Sequence, residues 1–403
     1  MSDNRQTSPI SDALACNTEK PAAVQNNIAD YQYLDVLNQI HENGNLEGNS
    51  RTGVGTKSVF AREVRFRMYD GFMPVLTTKK MFLKGGIYEL LWFMGNHLND
   101  PNYVKFGRTN AKYLIDNGVY IWVGDLYKRY LNQMIDAMHH SNQYDIAFIK
   151  AWGNSEEKPV TKEEFIEKIK TDESWADNWA ECGPIYGAQW REWSTPGNFL
   201  KPIDQLKNCV ETLKRNPTDR RIMVSAWNVS DIEAKVMILP PCHYGYTFYT
   251  RLLTLEERIE LAAKDPMFDP LEFGIGPQVT DDSMHKVCDA YEVPRRALSL
   301  KWNQRSIDTP LGLPFNIFSY ALLLRMIAQE VGMIAEELIG SLENVHYYLN
   351  QEPGVVEHLS RKVIHSSPTL WLNPNKSIFD YTYEDIKILN YESQGKIEFP
   401  LSN

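Results

Sequence analysis

The chain has 403 residues, 43% of them hydrophobic, and a formal net charge of −10; that is ample for a large core, and the acidic field repels nucleic acid. Basic residues form only short clusters, such as Arg220-Arg221 and Arg295-Arg296, so no basic stripe supports binding to DNA or RNA. The five cysteines are scattered without a C-x-x-C pair, and no apolar run approaches the roughly 18 residues of a membrane span; a soluble, cytoplasmic protein without membrane contact, disulfide framework or metal site is expected.

Residues 1–28 are polar and aperiodic and predict a disordered lead. From Tyr31, apolar residues recur at helical spacing (Tyr31, Leu34, Leu37, Ile40) up to a Gly-Asn-rich turn at 43–49. Residues 57–76 alternate apolar and polar as paired strands do, and 84–95 read as a helix with Ile87, Leu90, Leu91 and Met94 on one face. Two stretches look like additions to a core. The first, about 123–179, is charged and carries Thr161-x-x-Glu164, a capping-box pattern. The second, about 254–296, opens with Thr254-x-x-Glu257 between strand-like runs at 246–253 and 297–302; so long a connection is expected to be helical. Residues 317–330 are apolar enough for a central helix. The sequence thus predicts one domain, 29–403, with two insertions.

Taken singly, the polar candidates are weak signals. Cys242 in Leu-Pro-Pro-Cys242-His243 precedes a strand, where a cysteine is most often a small buried hydrophobe. The two prolines fix the backbone and His243 stands beside it, a setting that also suits a nucleophile, provided that positive charge lies nearby. Arg51, Arg220, Arg221 and Arg305 each sit in a short polar segment; alone each is a solvated charge, and together around a thiol they would clamp a phosphate. Asn316 opens an apolar helix, as an N-cap or as an amide facing a pyrimidine edge. Glu89 lies among large apolar side chains, on a solvated face or in partial burial that would raise its pKa for proton handling. His346 and Tyr348 alternate on a predicted strand and share a face.

In order along the chain stand Arg51-Thr-Gly-Val-Gly-Thr, Leu-Thr-Thr-Lys79, Glu89-Leu-Leu-Trp-Phe, Gly-Pro-Ile-Tyr186-Gly-Ala-Gln-Trp, Asp219-Arg-Arg-Ile-Met-Val-Ser-Ala-Trp-Asn228, Pro-Pro-Cys242-His243 and Gln304-Arg-Ser-x-Asp308-x-x-Leu-Gly-Leu-Pro-Phe-Asn316. This series resembles the thymidylate synthase superfamily from about residue 31 to the C-terminus, outside the two insertions. The resemblance implies an α+β fold: a large mixed β-sheet covered by helices, whose open face forms a homodimer. It implies dUMP and 5,10-methylenetetrahydrofolate as substrate and co-substrate, with no metal. Cys242 would add to C6 of the pyrimidine, with Glu89, Tyr186 and Asp308 in the catalytic set. Arg51, His243, Gln304, Arg305 and Ser306 would line the nucleotide site, with Arg220 and Arg221 reaching the phosphate of the neighbouring subunit. Asn316 would pair with N3–H and O4 of uracil, and His346 and Tyr348 with the 3′-hydroxyl. Lys79, Phe82, Trp122, Asp308, Leu311, Gly312 and Ser402 would line the folate site.

The product depends on what reaches the exocyclic methylene formed at C5: hydride gives dTMP, and water gives 5-hydroxymethyl-dUMP, the product of viral relatives in this superfamily. Trp122 and Leu239, which shield that carbon in synthases, are retained. Departures gather at the folate end: a polar Leu401-Ser402-Asn403 tail, Glu343-Asn344 where Gly-Asp is usual, and Phe82 in place of a common histidine. A polar cap admits or positions water, so hydroxymethylation of dUMP is the expectation, with dTMP synthesis as the alternative. A nucleotide-binding homologue without turnover is disfavoured by the joint presence of Cys242, Glu89, Tyr186 and Asn316.

Overall fold

The computed structural model describes residues 27–48, 52–68, 71–140, 159–194, 201–268 and 280–402, and in 135–140 the backbone alone. Arg51 and residues 1–26 of the expected lead lie outside the described residues. In chain order the strands are β1 Asn45–Glu47, β2 Thr56–Arg67, β3 Met223–Ser225, β4 His243–Leu252, β5 Arg296–Asp308, β6 Ile334–Tyr348, β7 Thr369–Leu372 and β8 Ile386–Leu389. Among the described residues, the helices of six residues or more are α1 Ile28–Asn43, α2 Leu83–Met94, α3 Val123–His140, α4 Lys162–Thr171, α5 Glu173–Trp179, α6 Tyr186–Arg191, α7 Gln205–Arg215, α8 Leu255–Ala262, α9 Asp281–Ala290, α10 Leu313–Glu330 and α11 Glu352–Ser360.

Six strands form one mixed sheet in the order β1-β2-β6-β5-β4-β3, and β7 pairs with β8 separately. All neighbours in the large sheet are antiparallel except β5 and β6. Parallel strands need a long crossover, and α10 supplies it. It is buried over most of its circumference, from Leu313 through Ala328, as its nearly unbroken apolar sequence requires. Helices α1, α2 and α10 contribute to one large core with the sheet. This is the α+β, mixed-sheet architecture that the resemblance implies.

Three elements differ from the sequence reading. Helix α1 begins at Ile28 rather than Tyr31, because the Asn27 side chain accepts from the Ala29 N–H and caps it. The paired strands expected at 57–76 are one strand, β2, whose partners β1 and β6 come from elsewhere. Met73, Val75 and Leu76 are buried from irregular backbone instead. Asn316 is not the N-cap of α10; that position is Gly312, and Asn316 lies one turn into the helix.

Both capping boxes form, at Thr161/Glu164 and at Thr254/Glu257. Within the first expected insertion, Tyr130, Phe165, Ile169, Ala176 and Trp179 join the main core. In the second, Ile259, Ala262, Met284, Val287, Cys288 and Val293 make a small core of their own. Among the described residues, no helix is long and apolar enough to cross a membrane.

Candidate active site

Cys242 stands immediately before β4, where Pro240-Pro241 bring the chain to the sheet. Its N–H donates to the Tyr186 hydroxyl at 2.9 Å, and its carbonyl accepts from the Arg305 N–H at 2.9 Å. Tyr186 opens α6, and its ring stacks on His243 with centroids 4.0 Å apart. The His243 Nδ1 is 2.8 Å from the Tyr320 hydroxyl, and burial depresses the imidazole to about 3. It is therefore neutral, and cannot supply the charge that a thiolate needs. Arg305 can. Its Nε and Nη2 donate to the Pro241 and Pro240 carbonyls at 2.9 and 3.0 Å, and its guanidinium lies 5.5 Å from the Trp227 ring. A permanent positive charge is thus fixed on the loop that carries the thiol.

Beside this lies an amide pair, buried Gln304, which pairs with His243 across the strands, and half-buried Asn316. The Asn316 Nδ2 donates to Gln304 Oε1 at 2.9 Å, and Gln304 Nε2 donates to the Ser306 carbonyl at 3.1 Å. The Trp302 indole also donates to Gln304 Oε1, at 3.2 Å. Asn316 is therefore held in one orientation from behind, which is what a side chain that reads a ring edge requires.

Glu89 projects from α2 and accepts from the Trp122 indole at 2.9 Å. Burial raises its carboxyl from 4.5 to about 7, against the lowering effect of that hydrogen bond. Glu89 lies at a cleft of about 340 Å³, lined also by Phe82, Gly85, Gly86, Val119 and Phe315. Phe82 is 52% exposed. A Cβ on Gly85 would come within 2.7 Å of Phe82, and one on Gly86 within 2.8 Å of Phe318. The glycines thus let the Phe82 and Phe318 rings pack directly on α2, and Phe82 in turn lines the cleft.

Lys79 and Asp308 form a second polar group. The Lys79 ammonium donates to the Pro310 carbonyl and lies 5.0 Å from the Phe399 ring; burial lowers it to about 8. Burial raises Asp308, while hydrogen bonds from Gln351 (3.0 Å) and the Leu311 N–H (3.1 Å) oppose this. Gly312 donates to the Asp308 carbonyl, so the turn before α10 is built around this residue. The tail closes the group: Gln351 also donates to the Pro400 carbonyl, and Ser402, 9% exposed, exchanges hydrogen bonds with Asn350. His346 and Tyr348 end β6, with their rings edge-on and 5.4 Å apart.

Arg220 and Arg221 are not brought to this group within the chain. Both are exposed before β3; the Arg221 side chain is 88% exposed and is paired with Asp219. The Ile222 carbonyl accepts from Phe248, and Pro217 from Thr250. Thr250 is near the far end of β4, on the order of 24 Å from His243 at the usual strand rise. Sequence reasoning missed Tyr320, Gln351, Asn350 and Trp227. Tyr320 was within reach, since it lies four residues after Asn316 on α10 and shares its face; no local pattern marks the others.

A family model described as thymidylate synthase matches residues 31–264 and 277–403, leaving out only 1–30 and 265–276.

Proposed function

The chain belongs to the thymidylate synthase family, whose reaction is folate-dependent one-carbon transfer to dUMP, and on that premise we propose that Cys242 attacks C6 of dUMP and that the product is 5-hydroxymethyl-dUMP. The observation that carries the first half is the convergence of Tyr186, Arg305 and the Gln304–Asn316 pair around one cysteine. C5 of uracil is a poor nucleophile until a thiolate adds at C6. The addition places negative charge on O4, which the Asn316 amide stabilises by donating a hydrogen bond. Glu89, poised near neutrality, exchanges protons with the ring, and the Tyr186 hydroxyl holds the backbone beside the nucleophile.

The cleft between Phe82, Gly85, Gly86 and Phe315 would take the ring of 5,10-methylenetetrahydrofolate: it is lined mainly by apolar side chains and glycines, and it includes a carboxyl that can change its protonation state. That co-substrate supplies a carbon at the oxidation level of formaldehyde. Trp122 would lie over it, with Lys79, Asp308, Leu311 and Gly312 at the polar end. Arg51, Arg305 and Ser306 would bind the phosphate, joined in a homodimer by Arg220 and Arg221 of a second copy.

Water as the acceptor is supported by the tail, where a buried hydroxyl, Ser402, takes part in closing the site through Asn350. The dTMP reading has its own support in Trp122, which is retained and whose indole is fixed on Glu89. Incubation with dUMP and methylenetetrahydrofolate, followed by mass spectrometry, separates the two. We expect an added hydroxymethyl group with tetrahydrofolate conserved; dTMP and dihydrofolate in equal amounts would make the enzyme a synthase. With 5-fluoro-dUMP, a covalent adduct should survive denaturation and be absent from Cys242→Ser.

A further inference from the structure

We infer that Asn344 is a positioning residue for the sugar end of the nucleotide: its side-chain carbonyl holds the His346 ring with a fixed donor–acceptor sense toward the 3′-hydroxyl. The inference rests on reading His346 and Tyr348 as the sugar-binding pair. His346 is 8% exposed and lies between Ser58 of β2 and Asp308 of β5 in the sheet register. Its Nδ1 is 2.8 Å from Asn344 Oδ1 and 3.3 Å from the Asn344 backbone carbonyl oxygen. A backbone carbonyl can only accept, so Nδ1 carries the hydrogen and the amide turns its oxygen toward it. In the neutral ring Nε2 is then the acceptor, which matches the O–H of a sugar hydroxyl.

Residues two apart on a strand share a face, so position 344 is where a side chain can reach the His346 ring along β6. Its neighbour points to the opposite face and fixes the strand there. The Tyr244 hydroxyl donates to Glu343 Oε1 at 2.6 Å, tying β6 to the register shift between His243 and Gly245, next to Cys242. The Glu343-Asn344 pair therefore links the strand of the nucleophile to the strand of the sugar ligands.

Calorimetric titration with dUMP and with its 3′-deoxy analogue, without folate, tests this in the full-length protein. Asn344→Ala should weaken dUMP binding roughly tenfold, the size of one lost hydrogen bond to a polar partner, and leave the 3′-deoxy analogue unaffected. Asn344→Asp keeps the acceptor and should restore most of the dUMP affinity. Equal losses on both nucleotides, or no loss on either, would overturn the role of Asn344. If the wild-type protein binds the two nucleotides equally well, the sugar-site reading of His346 and Tyr348 fails first, and the inference with it.

Discussion

Glu89 is a carboxyl group that burial has moved into the range where its charge changes near neutral pH. Its pKa rises from 4.5 to about 7 on folding. The folded state thus binds the proton more tightly than the unfolded chain, so this stabilising contribution is complete below about pH 4.5 and is lost as the pH rises through 7. The full swing is about 3 kcal/mol. Glu89→Gln keeps an oxygen for the Trp122 indole and cannot ionise, so it should lose activity while gaining stability relative to wild type above neutrality. Chemical denaturation at pH 5 and pH 8.5 is the check; a stability difference that does not change with pH would mean that Glu89 is not held protonated by burial. His243 shows the same force with the opposite result. Burial holds it at about 3, so the histidine beside Cys242 packs on Tyr186 and leaves the positive charge to Arg305.

The Asn316 amide depends on a close packing contact between strands. Gly340 of β6 is paired with Trp302 of β5 and Val64 of β2, and an added Cβ would fall 2.3 Å from the Trp302 ring and 2.8 Å from Val64. The indole is fully buried, stacks on Tyr320 and donates to Gln304, which in turn holds Asn316. Gly340→Ala should therefore cost about 1–3 kcal/mol of stability by overpacking and also raise the KM for dUMP. Thermal melting and steady-state kinetics would show both; a variant with wild-type melting and KM would remove Gly340 from this chain of contacts. Such links are what the sequence could not reveal. Helix α10 and the two capping boxes are legible because their signals are local: an apolar run in one case, a Thr-x-x-Glu spacing in the other. Residues 71–76 read as a strand because burial alone produces apolar residues, whether or not the backbone is a strand. The Gln351–Asp308 and Ser402–Asn350 bonds join positions far apart in the chain, and no periodicity announces them.

At the scale of the whole molecule, the cysteine and two of the candidate phosphate-binding arginines lie toward opposite ends of one strand. Cys242 precedes β4, while Arg220 and Arg221 lie alongside its far half and extend into solvent. No rearrangement of a β-strand closes such a gap, so if these arginines serve the site they serve it in a second copy. The open face of the sheet is where that copy would pack; Tyr249 of β4 is an exposed large hydrophobic residue on it, among Thr247, Lys301 and Ile339. That reading requires an isologous dimer in which each arginine pair lies toward the partner's thiol. Two variants then test the arrangement without a structure of the complex. Cys242→Ser lacks the thiol, and the Arg220→Ala, Arg221→Ala double variant lacks the arginine pair that would be lent to the neighbour; each alone should be inactive or nearly so. When the two are unfolded together in equal amounts and refolded, half of the dimers are mixed. In each mixed dimer one site receives two defects and the other none, so activity should return to about a quarter of wild type. Recovery requires arginines that act across the interface. If the refolded mixture stays as inactive as its parents although mixed dimers form, the arginines act within their own chain or not at all.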